Sequence, residues 1–149
     1  MVLDKDLGWK KIKREMLKAN NKEVAVGILE GSNNSKGASI AEYATYNEFG
    51  TRNIPSRPFM SISFDENIGA INSDFYKQGK KLAEGAITAN SALTIIGQKH
   101  ADRIKNTITG RDILPKLADV TISAKGDTKT LVDTGAMVNA VQISVRGRT

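Results

Sequence analysis

The chain contains no cysteine and a single histidine, His100. The first absence removes disulfides, thiolate nucleophiles and cysteine-ligated zinc together. The second leaves one imidazole among scattered carboxylates, which is not the ligand spacing of a metal site. Aromatic residues are 5% of the 149 residues, too few for a stacking platform that holds single-stranded nucleic acid. No apolar run approaches the ~20 residues of a membrane-spanning helix, so no membrane partner is expected. A Gly-x-Ser-x-Gly elbow is missing, which leaves His100 without a serine nucleophile. No Gly-Lys-Ser/Thr follows Gly31 and Gly37, so these glycines do not make a phosphate loop. The opening residues Met1-Val2-Leu3-Asp4-Lys5-Asp6 are acidic at once and do not read as a secretory signal. Asn33-Asn34-Ser35 therefore matches a glycosylation acceptor by pattern only.

What remains is an ordinary globular composition, 40% hydrophobic and 26% charged, sufficient for one domain over residues 1–149. The net charge is +6. Much of the excess lies near the N-terminus, where Lys5, Lys10, Lys11, Lys13, Arg14, Lys18 and Lys22 outnumber Asp4, Asp6 and Glu15. Leu7, Trp9, Ile12 and Met16 recur there at helical spacing. The segment reads as an amphipathic helix over about residues 4–19, its cations solvated opposite a buried apolar stripe. Contact with DNA is expected to be non-specific at most, weak and reduced by salt.

Further along, Val24, Val26 and Ile28 alternate as in a half-buried strand. The polar segment from Gly31 to Gly37 reads as a loop. Ser39 with Glu42 three residues on forms a capping box, and Ile40, Tyr43, Ala44 and Asn47 fall on one face of the helix that follows. Phe59, Ile62, Ile68, Ile71, Phe75, Leu82 and Ala86 mark a long helix with a bend near Gly69 or Gly79. Ala89, Leu93, Ile96, His100, Ile104 and Ile108 mark a second one, ended by Gly110. Residues 115–125 suit a short helix or a strand. Val141, Ile143 and Val145 alternate as a last strand. Strands near both ends with helices between them predict an α+β domain, a small antiparallel sheet packed against two long helices plus shorter helices.

Asp133-Thr134-Gly135-Ala136, after Leu131-Val132, looks like the active-site loop of retroviral-type aspartic proteases, where two close carboxylates share a proton. Ser144-Val145-Arg146-Gly147 is a poor substitute for the apolar strand that such enzymes place downstream. Asp133 or Thr134 capping a short helical turn before the last strand is the preferred reading. No catalytic, cofactor-binding or metal-binding residue is expected.

The stretch from Tyr43 to Phe59 changes character in its middle. A helix ends at Phe49, and Gly50 supplies the residue without a Cβ that commonly follows such an end. Pro55 and Pro58 then restrict the backbone around Arg57, with Pro58 placed to start a new helix. Glu48, Phe49, Gly50, Thr51, Arg52, Pro55, Arg57, Pro58 and Phe59 make up a candidate interaction loop that presents Thr51, Arg52 and Arg57. Neither arginine has a partner in sequence, and replacing both with alanine is expected to leave the fold nearly as stable.

Tyr43-Ala44 through Glu48-Phe49-Gly50-Thr51, followed by Pro55-Ser56-Arg57-Pro58-Phe59, resembles the neck and tail-completion family of tailed bacteriophages. These are small head–tail joining proteins, also called virion morphogenesis or minor tail components. Gly97-Gln98-Lys99-His100-Ala101-Asp102-Arg103-Ile104 with Asn106-Thr107-Ile108 looks like the family's long second helix. Lys129-Thr130-Leu131-Val132-Asp133-Thr134-Gly135-Ala136-Met137 resembles its closing segment, with Thr130 in place of proline and Met137 in place of leucine. The resemblance spans about Val24 to the C-terminus. It implies a non-enzymatic structural protein, made in the host bacterial cytoplasm and carried in the virion. There it would form a homo-oligomeric ring at the head–tail junction, in contact with connector and tail-tube proteins. It also implies that Arg52 and Arg57 pair with carboxylates on a neighbour. A small basic DNA-binding protein is the alternative reading.

Overall fold

In a computed structural model of the chain, residues 6–33, 37–110, 112–115, 131 and 135–148 are described. Two strands meet antiparallel, β1 over Lys22–Ile28 and β2 over Val141–Gly147. Between them in sequence come α2 (Ile40–Phe49), α3 (Phe59–Ala83), α4 (Ala89–Gly110) and a single turn, α5 (Ala136–Asn139), while α1 (Trp9–Asn20) precedes β1. The fold is α+β, as the periodicities predict.

The pairing register explains why the sheet has one dry face. Val24 lies opposite Val145, Val26 opposite Ile143 and Ile28 opposite Val141, so the alternating apolar residues of both strands share a side. Glu23 and Arg146 pair on the other side, where Nε donates to Oε1 at 2.7 Å. Helix α4 crosses the dry face at Gly97. A Cβ built there falls 2.6 Å from Val24 Cγ2 and 3.4 Å from Ile143 Cγ2, so only glycine permits this close approach. The core then runs from the sheet through Ile104 and Ile108 of α4 to Phe59, Ile40 and Ala44.

Gly97→Ala is expected to cost about 1–2 kcal/mol, because the clash with a packed valine outweighs the better helix propensity of alanine. Gly69→Ala is the matched control. Gly69 lies in α3 with open space around it, and the same change there is expected to stabilise by up to about 1 kcal/mol. Denaturant unfolding of the two variants checks both signs.

Helix α3 runs unbroken through Gly69 and Gly79. The expected short turn before the last strand is present as α5, with Gly135 at its N-cap position (φ 71°). Asp133 and Thr134, and with them both the cap and the protease readings, lie outside the described residues, as do residues 116–130. The N-terminal helix departs from expectation. None of its residues is buried; Ile12 and Ala19 are half-buried, whereas Trp9 is 66% exposed and Met16 and Leu17 are also exposed. Leu7, just before it, is 87% exposed. Only one edge of its apolar stripe reaches the body, where Ile12 packs against Gly85 in the turn between α3 and α4.

Candidate interaction surface

Helix α2 starts as the capping pattern predicts, with Ser39 Oγ accepting from the Glu42 N–H at 3.2 Å. It ends at Gly50, whose φ of 77° and close approach to Ser56 N and Ile54 O leave no room for a side chain. The chain then closes a tight turn. Thr51 N donates to Ile54 O at 2.7 Å, and Thr51 Oγ1 accepts from Asn53 N and Ile54 N. Arg52 and Asn53 sit exposed at the tip of this turn.

The base of the turn is tied to its surroundings at several points. Ser56 Oγ donates to Glu48 O at 2.8 Å, Arg57 N to Asn47 O at 2.5 Å, and Asn47 Nδ2 to Tyr43 O at 2.9 Å. The Glu48 carboxylate, buried, accepts from Met60 N at 2.9 Å and from Ser61 N and Oγ at 3.0 and 2.5 Å. Those two amides belong to the first turn of α3, where backbone donors have no intrahelical partner. Pro58 precedes that helix at its N-cap position and has no side-chain oxygen to offer. A carboxylate at the end of α2 therefore does the capping of α3, aided by the positive end of the helix dipole.

These contacts divide the candidate loop into three groups. Phe49, 77% exposed, and Thr51, Arg52 and Pro55 face solvent. Gly50 and Pro58 are intermediate, and Glu48, Arg57 and Phe59 are buried, Phe59 completely. Arg57 is thus not displayed to a neighbour. Its Nε donates to the Pro115 carbonyl at 2.8 Å, joining the loop to the chain after α4. The expectation that Arg57 can be removed without loss of stability is corrected by the same contact, since the Pro115 acceptor is left without that donor.

Sequence reasoning missed the neighbours of Phe49. Tyr43, assigned to the inner face, is exposed together with Tyr46, while Ile40, Ala44 and Asn47 are buried. Tyr43, Tyr46 and Phe49 recur every third residue and form an aromatic row on the outer side of α2. The Tyr46 hydroxyl bonds to the Glu42 carboxylate, which raises the tyrosine pKa, first through that hydrogen bond and then through the carboxylate's charge. The signal was present as two interleaved apolar stripes on a ten-residue helix.

A second group of charged residues binds α3 to α4. Asp74 is buried and accepts from Lys99 Nζ at 2.7 Å and Arg103 Nη2 at 2.5 Å. Burial pushes its carboxyl up, but the Lys99 and Arg103 hydrogen bonds and charges outweigh it, and the net shift is downward. His100, between those cations on α4, is half-buried with its ring edge against Phe64 (centroids 6.1 Å apart, 79° between planes). Burial first, and then the Arg103 charge, lower its pKa.

The described residues contain no group of three His, Asp or Glu side chains that could hold a metal ion. Among them, no helix is long and apolar enough to cross a membrane. No family model, no curated protein and no solved structure matches the chain.

Proposed function

We propose that this chain is a non-enzymatic structural subunit of a tailed-phage virion. In this reading it assembles as a homo-oligomeric ring at the head–tail junction and helps to complete or join the tail. One observation carries the reading: the segment that resembles the neck and tail-completion family is a turn tied down by its own backbone, with Phe49 and Arg52 left outward beside Tyr43 and Tyr46. Aromatic residues and arginine are the types enriched at protein–protein contacts and at their hot spots. A turn already held in one conformation loses little entropy when it docks. Such a surface suits a protein that acts by fitting against copies of itself and against connector and tail-tube partners.

The test separates assembly from folding. Phe49→Ala combined with Arg52→Ala is expected to change the unfolding free energy by no more than about 0.5 kcal/mol per site, because both side chains are exposed. The same protein is expected to lose ring formation in light scattering and to leave tails unjoined when it replaces the wild-type protein in particle assembly. Unchanged rings and joined particles from the double variant would remove this turn from the assembly surface. A wild-type protein that stays monomeric and is absent from virions viewed by labelled electron microscopy would refute the structural reading itself.

A further inference from the structure

We propose that the groove between α1 and the adjoining end of the sheet is a docking surface for the phosphate backbone of duplex DNA, bound without regard to sequence. The groove has a volume of about 560 Å³, and Lys10, Lys13, Arg14, Leu17 and Lys18 of α1 form one wall. Asn21, Lys22 and Gly147 close its end. Lys10, Arg14 and Lys18 stand at successive turns of the helix, about 6 Å apart along its axis. They therefore present a line of positive charge to the roughly linear charge of a phosphate strand.

The nearby acids offset only part of this charge. Asp6 stands at the start of α1, where Oδ1 accepts from the Gly8 N–H at 3.0 Å and from the Lys10 N–H at 3.4 Å. Glu15 faces the body of the protein, where Oε2 accepts from Ala89 N at 3.0 Å at the start of α4. Its Oε1 accepts from Lys18 Nζ at 2.8 Å, and these two contacts, the lysine first, hold its carboxyl below the usual range. Lys18 is therefore partly neutralised. Lys22 donates to the neutral Asn90 Oδ1 and keeps its charge. Lys10, Lys13 and Arg14 form no ion pair among the described residues.

The composition of the groove selects the occupant. Lysines predominate, and a lysine acts on phosphate as a point charge, which suits contact with a nucleic-acid backbone and carries no sequence information. Among the described residues no aromatic side chain lines the groove, so unpaired bases would find nothing to stack on, and a duplex is favoured over a single strand. The surface is also poorly shaped for a bilayer. Trp9 and Met16 share one flank of α1, while Leu17 lies about 100° around the helix from Met16 and among the cations. A second copy that met this groove with its own groove would bring like charge against like. The inference holds whether or not the chain forms a ring.

Fluorescence anisotropy of a labelled 20-base-pair duplex tests it. With Lys10, Lys13, Arg14 and Lys22 each neutralising a phosphate, log K is expected to fall with log salt at a slope of about −3.6, roughly 150-fold between about 50 and 200 mM. Competitor duplexes of unrelated sequence should displace the label equally. Lys10→Gln with Arg14→Gln should weaken binding about tenfold or more at 50 mM and bring the slope to about −2. Lys77→Gln with Lys81→Gln removes the same charge from α3 and should leave the slope unchanged. Equal losses in the two variants, or wild-type binding by the groove variant, would overturn the proposal. So would binding of polyglutamate or of phosphatidylserine vesicles that excess duplex cannot displace.

Discussion

Glu48→Ala is expected to lower the unfolding free energy by about 3 kcal/mol, since hydrogen bonds to a charged group contribute about 1.5–3 kcal/mol each and a lost helix cap alone costs about 1 kcal/mol. The carboxylate is buried and meets two backbone amides and a hydroxyl at the start of α3. Alanine would leave Met60 N and Ser61 N without their acceptor where the neighbouring Pro58 cannot supply one. It would also loosen the start of α3, which fixes the far end of the turn that carries Arg52, while Ser56 keeps its bond to the backbone carbonyl of residue 48. Glu48→Gln keeps an acceptor of the same shape and is expected to lose about half as much. For a chain of this size 3 kcal/mol corresponds to a fall in Tm of about 10 °C. Thermal melts of both variants check the order. If Glu48→Ala melts within 2 °C of wild type, the carboxylate is not the cap of α3.

Asp74→Asn is expected to cost about 3 kcal/mol at neutral pH, because removing one member of a buried ion pair leaves its partners uncompensated. Here the partners are Lys99 and Arg103, the latter largely buried at 20% side-chain exposure. The cost should depend on pH in a definite direction. The folded-state pKa of Asp74 lies below its ordinary value, so the native state holds the proton less tightly than the unfolded chain does. The stabilisation is then complete above the unfolded pKa of about 3.9 and disappears as pH falls through the lower folded value. The gap in Tm between wild type and Asp74→Asn should stay constant from about pH 8 to 5 and close below about pH 4. A gap that persists unchanged at about pH 2.5 would mean that the ion pair does not supply the difference.

Both contacts connect residues far apart in the chain, which explains why neither was legible beforehand. Ser39 could be read as a cap because its partner, Glu42, is three residues away. Glu48 caps α3 through Met60 and Ser61, 12 and 13 residues further on, and Glu15 does the same for α4 from 74 residues upstream. Local spacing carries no record of such pairings. The same limit applies to Arg57. Between Pro55 and Pro58 it reads as a cation without a partner, yet the acceptor is a carbonyl at Pro115. For α1, periodicity located the helix but overestimated its burial. An amphipathic pattern states which face is apolar, not how much of that face the rest of the molecule covers.

The sequence by itself determined the elements and their class. Two alternating apolar segments at the ends specified strands, two long runs at helical period specified α3 and α4, and Gly50 stopped α2 where its positive φ was needed. These are consequences of neighbouring residues acting within one or two turns, or across a pleat. For α2 the periodicity already placed Ile40, Ala44 and Asn47 inward, and only the tertiary structure decided that Tyr43 joins Tyr46 and Phe49 on the outer side. The outcome depends on where α3, α4 and the sheet stand. Tertiary structure likewise divided the loop into buried Glu48, Arg57 and Phe59 and outward Phe49 and Arg52. Burial and pairing are set by distances between segments, and those distances exist only once the chain has folded.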